Sequence, residues 1–339
     1  MPGISALRAW WTGRPSAAGA AVMATGIVSI GLHLTGAETL SRIALGLACA
    51  GWVALGADFV VRLVGQRRRW VAEARSPGAL TAVAATTVLG TRISLLGGQT
   101  LAEALLALAA LLWPGLLLLV VRHWERRMPG TVFLCCVATQ GLAVLAATLA
   151  AAETTAWLAH AALVLFWLGL VLYGLALAHF DRRQVVEGAG DHWIAGGTLS
   201  ISALAGAKLL SADSARLYLW NDDDRGVLRD VTVALLVLDL AWYVVLLAAE
   251  LARPRPGYDV RRWATVFPMG TTAAAMLSVA VALDVDWLQG PGRVLVWVSV
   301  AAWLAAAAGA VLAARAGTGT STGGGGDGTT PGITSTARR

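Results

Sequence analysis

Lysine is almost missing from this chain: Lys208 is the single one in 339 residues, and every other strongly basic side chain is arginine. Charge of either sign is scarce, at 14% of residues, where a soluble domain carries roughly 25%. That shortage excludes an ordinary water-facing surface. Cysteine occurs three times, as Cys49, Cys135 and Cys136, all inside apolar runs. This excludes a disulfide framework, and no CxxC or Cys/His spacing offers a zinc site. The three read as small apolar packing residues. The motifs of soluble catalysis are missing too. There is no Walker loop, no GxGxxG after a strand and no GxSxG. The NDDD run at 221–224 lacks the Gly turn and terminal Glu of an EF-hand loop, so it reads as a solvated loop. His160, His179 and His192 have no metal-ligand spacing. No cofactor, no metal and no enzymatic constellation is expected.

The apolar content is what remains. Hydrophobic residues make up 57% of the chain, and the mean hydropathy is +0.68. Long apolar runs with few charges define an all-α integral membrane protein. The first run follows Arg8 and Arg14, is about 20 residues long and contains Gly, Thr, Ser and His. It outlasts the roughly 7–15 residues of a signal-peptide core and reads as a span. Ten spans are predicted, at 17–36, 40–63, 78–97, 100–121, 130–152, 155–179, 191–212, 227–250, 262–283 and 290–314. The GGQT turn signal separates the third from the fourth. Residues 1–16 form an N-terminal segment, and 315–339, rich in Gly, Ser and Thr, form a flexible tail.

The net charge of +6 does not point to nucleic acid, because the arginines sit in short loops between apolar runs. They alternate. Arg62, Arg67, Arg68, Arg69 and Arg75 fall at or after the end of span two, and Arg122, Arg126 and Arg127 follow span four. Arg182 and Arg183 come after span six, then Arg253, Arg255, Arg261 and Arg262 after span eight. The positive-inside rule therefore predicts both termini in the cytoplasm of a multi-pass plasma (inner) membrane protein, with lipids as its surroundings. Trp10, Trp11, Trp70, Trp124, Trp193, Trp263 and Trp287 fall near predicted ends and suit an interfacial aromatic belt.

The spans are of two kinds. The even ones are rich in Leu and Val; span four alone holds ten Leu. The odd ones are rich in Gly, Ala, Ser and Thr, which gives a helical hairpin pattern repeated five times. At helical spacing the odd spans carry narrow, weakly polar stripes. Span one aligns Gly19, Val22, Gly26, Ser29 and His33. Span three aligns Ala84, Thr87, Thr91 and Ser94, and span five Thr131, Cys135 and Thr139. Span seven aligns Gly196, Ser200, Ala203 and Ala207, and span nine Phe267, Thr271, Ala274 and Ser278. Small residues also serve close helix packing. Five such faces turned to one axis would make a thin pore with a Leu-rich outer wall. In span nine, WATVFPMG places Phe267 beside Pro268, whose missing N–H frees the Ala264 carbonyl. A Phe ring there would either pack in the core or close the passage as a hydrophobic gate.

MATGIVSIG (23–31), HWIAGGTLSISALAGA (192–207) and WATVFPMG (263–270) are similar to segments of the tellurite-resistance and C4-dicarboxylate transporter family. The plant guard-cell slow anion channels and the fungal malate and sulfite carriers belong to it. The resemblance covers about residues 17–314. It implies five helical hairpins in a quasi-fivefold array around a central anion pathway, a homotrimer, and a Phe that plugs the pore, matched here by Phe267. Pro268 is the one proline inside an odd span, fewer than the family's inner helices carry.

Charges inside spans are costly and point to function. Arg92 and Lys208 lie toward the external end and suit an anion-attracting vestibule, with Glu103 or Asp230 as partners for Arg92. Asp239 near the middle of span eight and His33 at the outer end are candidate proton-coupling groups. The expected function is an anion channel or facilitator gated by Phe267. The alternative is a proton-coupled carrier of C4-dicarboxylates, sulfite or tellurite-related anions.

Overall fold

The computed structural model describes residues 15–65, 73–187, 190–213, 219–253 and 259–319. Arg8, Arg14, Arg67, Arg68, Arg69, Arg255, Trp10, Trp11, Trp70 and the tail from 320 onward lie outside the described residues. Ten long helices follow in chain order: α1 (Pro15–Leu34), α2 (Glu38–Gly65), α3 (Thr81–Leu95), α4 (Gln99–Val121) and α5 (Leu134–Glu153), then α6 (Ala156–His179), α7 (Trp193–Ala212), α8 (Asp222–Ala252), α9 (Trp263–Ala282) and α10 (Gln289–Gly319). Among the described residues nine helices are long and apolar enough to cross a membrane, while the apolar part of α1, Ala18–Leu34, is shorter. Helix α10 covers the first five residues of the predicted tail, 315–319.

Four of the five hairpins turn tightly because a residue within two positions of the odd helix's end takes the left-handed conformation that ends helices; α7 ends instead on extended Asp213. Gly36 (φ 83°) and Gly97 (φ 87°) do so after α1 and α3, and Thr154 (φ 53°) and Asp284 (φ 55°) after α5 and α9. The NDDD run is not a loop. Asn221 caps α8 by accepting from the Asp224 N–H at 2.7 Å, and Asp222, Asp223 and Asp224 form its first turn. A side-chain acceptor and acidic residues at a helix N-terminus satisfy free N–H groups and oppose the helix dipole; that is why this polar run folds as helix.

Burial separates the two helix types. In the most apolar windows of the even helices 11–33% of residues are buried, against 72–100% for α3, α5, α7 and α9. The odd helices pack against one another in a closed cycle, α1 to α3 to α5 to α7 to α9 and back to α1. Each even helix packs on its own hairpin partner and on the next odd helix. Three indoles tie that second contact. Trp52 of α2 donates to Thr86 of α3 at 2.8 Å, Trp113 of α4 to Thr139 of α5 at 2.9 Å, and Trp303 of α10 to Thr25 of α1 at 2.9 Å. In hydrocarbon an indole N–H has no water to bond, so a threonine hydroxyl on the neighbouring hairpin fixes its place.

Candidate functional site

One cavity of about 770 Å³ draws residues from every odd helix. Its walls include Met23 of α1, Ala85 of α3, Leu134 of α5, Ile194 of α7, and Ala264 and Phe267 of α9. All of these lie in the N-terminal halves of their helices, so the cavity opens at that end of the bundle. It also runs outward past Trp52, Phe59 and Leu112 of the even helices. Both arginines at its edge are paired with acids. Arg62 lies 2.8 Å from Asp58 and 2.9 Å from Glu73, and Arg261 pairs with Asp259.

Phe267 is 2% exposed. Its position is set from behind by the next residue. A β-carbon on Gly197 of α7 would come within 2.8 Å of Pro268 Cγ, so glycine is what lets α7 and α9 meet there. One turn further, Ser200 and Thr271 hydroxyls lie 2.7 Å apart. Thr271 Oγ1 also sits 3.1 Å from the Phe267 carbonyl oxygen and 3.0 Å from that of Pro268.

The other stripe residues divide by where their side chains go. Gly26 faces Val88 of α3, and Gly196 faces Trp242 and Leu246 of α8. Ser29 and Ser41 each donate to the other's carbonyl at 2.7 Å, joining α1 to α2. Thr87 abuts Gly141 of α5, and its hydroxyl donates to Ala84 O at 2.9 Å. Thr91 donates to Thr87 O at 2.9 Å. Cys135 Sγ lies 3.0 Å from Val132 O, and Thr139 accepts from Trp113 while donating to Cys135 O. Ala203 and Ala274 are fully buried. Ser278 is buried, and its hydroxyl has no hydrogen-bond partner among the described residues.

Arg92 is fully buried. Its partner is neither Glu103 nor Asp230 but Glu38, at 2.8 Å from Nη2, with Nε donating to Ser41 at 2.9 Å. Glu38 stands in the first turn of α2, close to the outer end of α3, a neighbour that span counting leaves in a loop. The same carboxylate accepts from Arg42 at 3.0 Å and lies 2.7 Å from His33 Nδ1. Lys208 is half-buried and has no ion pair or hydrogen bond among the described residues. Asp239 of α8 is 1% exposed, and its Oδ2 has no hydrogen-bond partner among the described residues. No cluster of His, Cys, Asp and Glu among the described residues suits a metal ion.

Sequence reasoning missed the indole–threonine ties and Glu38. The signal was present in each case. Trp52, Trp113 and Trp303 fall inside spans rather than at their ends, where a belt would place them, and a buried arginine demands an acid from somewhere.

Together these features define a multi-pass, all-helical membrane protein, in which small-residue helices are wrapped by Leu-rich ones. The chain belongs to the voltage-dependent anion channel family (SLAC1), whose family model matches residues 15–311. No curated protein matches the chain significantly. The family assigns it to anion transport across membranes and agrees with the resemblance carried by the α1, α7 and α9 segments.

Proposed function

We propose that the five hairpins surround a central path for small anions and that Phe267 is its constriction, with Pro268 holding the ring in place. The observation that carries this reading is a cavity to which all five odd helices contribute and in which Phe267 forms part of the wall. From there, the small or weakly polar residues Thr271, Ala274 and Ser278 continue along the same stripe of α9. Hydrophobic constrictions gate by excluding water, and a phenyl ring moves without breaking any side-chain hydrogen bond of its own. The protein acts as a channel or facilitator in the plasma (inner) membrane, with both termini cytoplasmic and three copies in the assembly. The test is electrical. Currents through reconstituted protein should reverse at the anion Nernst potential and ignore a pH gradient.

A second reading is favoured by Asp239. A buried carboxylate with an unpartnered oxygen is a place for a proton, as a carrier of dicarboxylates, sulfite or tellurite-related anions requires. His33, beside Glu38, is the other candidate. Uptake that collapses with the pH gradient, and that Asp239→Asn abolishes, supports the carrier.

A further inference from the structure

We infer that Lys208 and Ser278 form a binding site for one monovalent anion in the outer half of the bundle, three helical turns beyond the Phe267 constriction. This rests on the reading that the odd helices enclose the path.

The placement follows from helix register. Gly197 meets Pro268 and Ser200 meets Thr271, so α7 and α9 run in parallel at a constant offset. Two turns on, the same offset sets Ala207 opposite Ser278, with Lys208 the next residue. The two side chains therefore share a layer. Ser278 lies three turns along α9 from Phe267, about 16 Å outward at 1.5 Å per residue.

The direction follows from the stripes. Ile194 lines the cavity with Phe267, and Ile201 and Lys208 follow it at heptad steps, which drift only about 20° per heptad. The opposite side of α7 is taken up by α8, since Gly196 meets Trp242 and Gly206 meets Thr232. On α9, Ser278 continues the stripe of Phe267, Thr271 and Ala274. Both groups thus turn to the inside of the cycle.

The chemistry of the pair is incomplete as it stands. Lys208 has no partner among the described residues. Asp213, the acid nearest to it along the chain, is spent on Arg225 at 2.8 Å and on the Leu219 N–H at 3.0 Å. Ser278 Oγ is buried and has no hydrogen-bond partner among the described residues. A buried hydroxyl without a partner and an ammonium without a counter-ion, placed side by side, are both answered by an anion. One positive charge balances one negative charge. A dianion would bring a second, unbalanced charge into a low-dielectric layer, so the site selects chloride- or nitrate-like ions over dicarboxylates.

The chain's single lysine gives a direct test. Reductive methylation of the full protein in detergent, followed by peptide mass spectrometry, reads Lys208 without interference from another lysine. Nitrate should slow the modification several-fold in a saturable way, and malate should not. Nitrate should also raise the thermal midpoint, an effect lost in Lys208→Gln and shifted to about fivefold higher nitrate in Ser278→Ala. A methylation rate indifferent to nitrate, a Lys208 that cannot be methylated in the folded protein, or equal protection by malate overturns the site. If either variant fails to fold, the wild-type methylation result decides. Phe267→Ala currents separate this from the proposed function. Anion current without nitrate protection sinks the site and leaves the path; protection without current does the reverse.

Discussion

Pro268 rests on Gly197. A β-carbon at Gly197 would lie 2.8 Å from Pro268 Cγ and 3.3 Å from its Cα. Neither a proline ring nor a backbone atom can rotate aside, so Gly197→Ala must push α9 away from α7. The expected cost is that of overpacking, about 1–3 kcal/mol, read as a drop in thermal midpoint in detergent. Gly115, with open space around it, is the control site for the same change. Equal midpoints for Gly197→Ala and Gly115→Ala would show that the contact is not tight.

The Arg92 cluster gives an ordering. Glu38 answers a fully buried arginine, whereas Arg42, which also contacts it, is exposed. Removing one partner of a buried pair strands a charge, while exposed pairs contribute about 0–1 kcal/mol. Glu38→Gln should therefore lower the thermal midpoint far more than Arg42→Gln. Similar losses from the two would mean that Arg92 finds another partner.

The Trp113–Thr139 bond should behave as a typical membrane hydrogen bond. A double-mutant cycle with Trp113→Phe and Thr139→Val is expected to give a coupling of about 0.6 kcal/mol, with about 1.7 kcal/mol as the upper end. Unfolding titrations of the four proteins measure it. A coupling of zero would leave the indole's role to packing alone.

Asp239 separates channel from carrier. On the channel reading Asp239→Asn leaves anion current and its reversal potential unchanged, because a neutral amide fits a site that holds no ion. Loss of pH-gradient-driven uptake in that variant, measured in liposomes, would favour the carrier.

The helices were legible in the sequence because hydropathy and length decide what spans a bilayer. The inner and outer sets were legible because the Leu-rich helices have most of their surface exposed. What the stripes did not reveal is which way each faces. Small residues serve close packing and open space equally well, and the pattern alone does not say which neighbour stands opposite. Gly196 shows the difficulty: it sits on the predicted stripe with Ser200, yet meets Trp242 of its own hairpin partner. In α9 the presence of one bulky member, Phe267, marked the face that borders the cavity. Glu38 was illegible for another reason. The pairing with Arg92 joins residues more than fifty apart, and only the packing of α2 on α3 brings them together.

Current through single copies or macroscopic patches of reconstituted wild type and Phe267→Ala tests the central claim most directly. The gate reading predicts little current in the wild type and a large anion-selective increase when the ring is removed, with protein folding unchanged. Equal currents in the two, at equal amounts of folded protein, would contradict it.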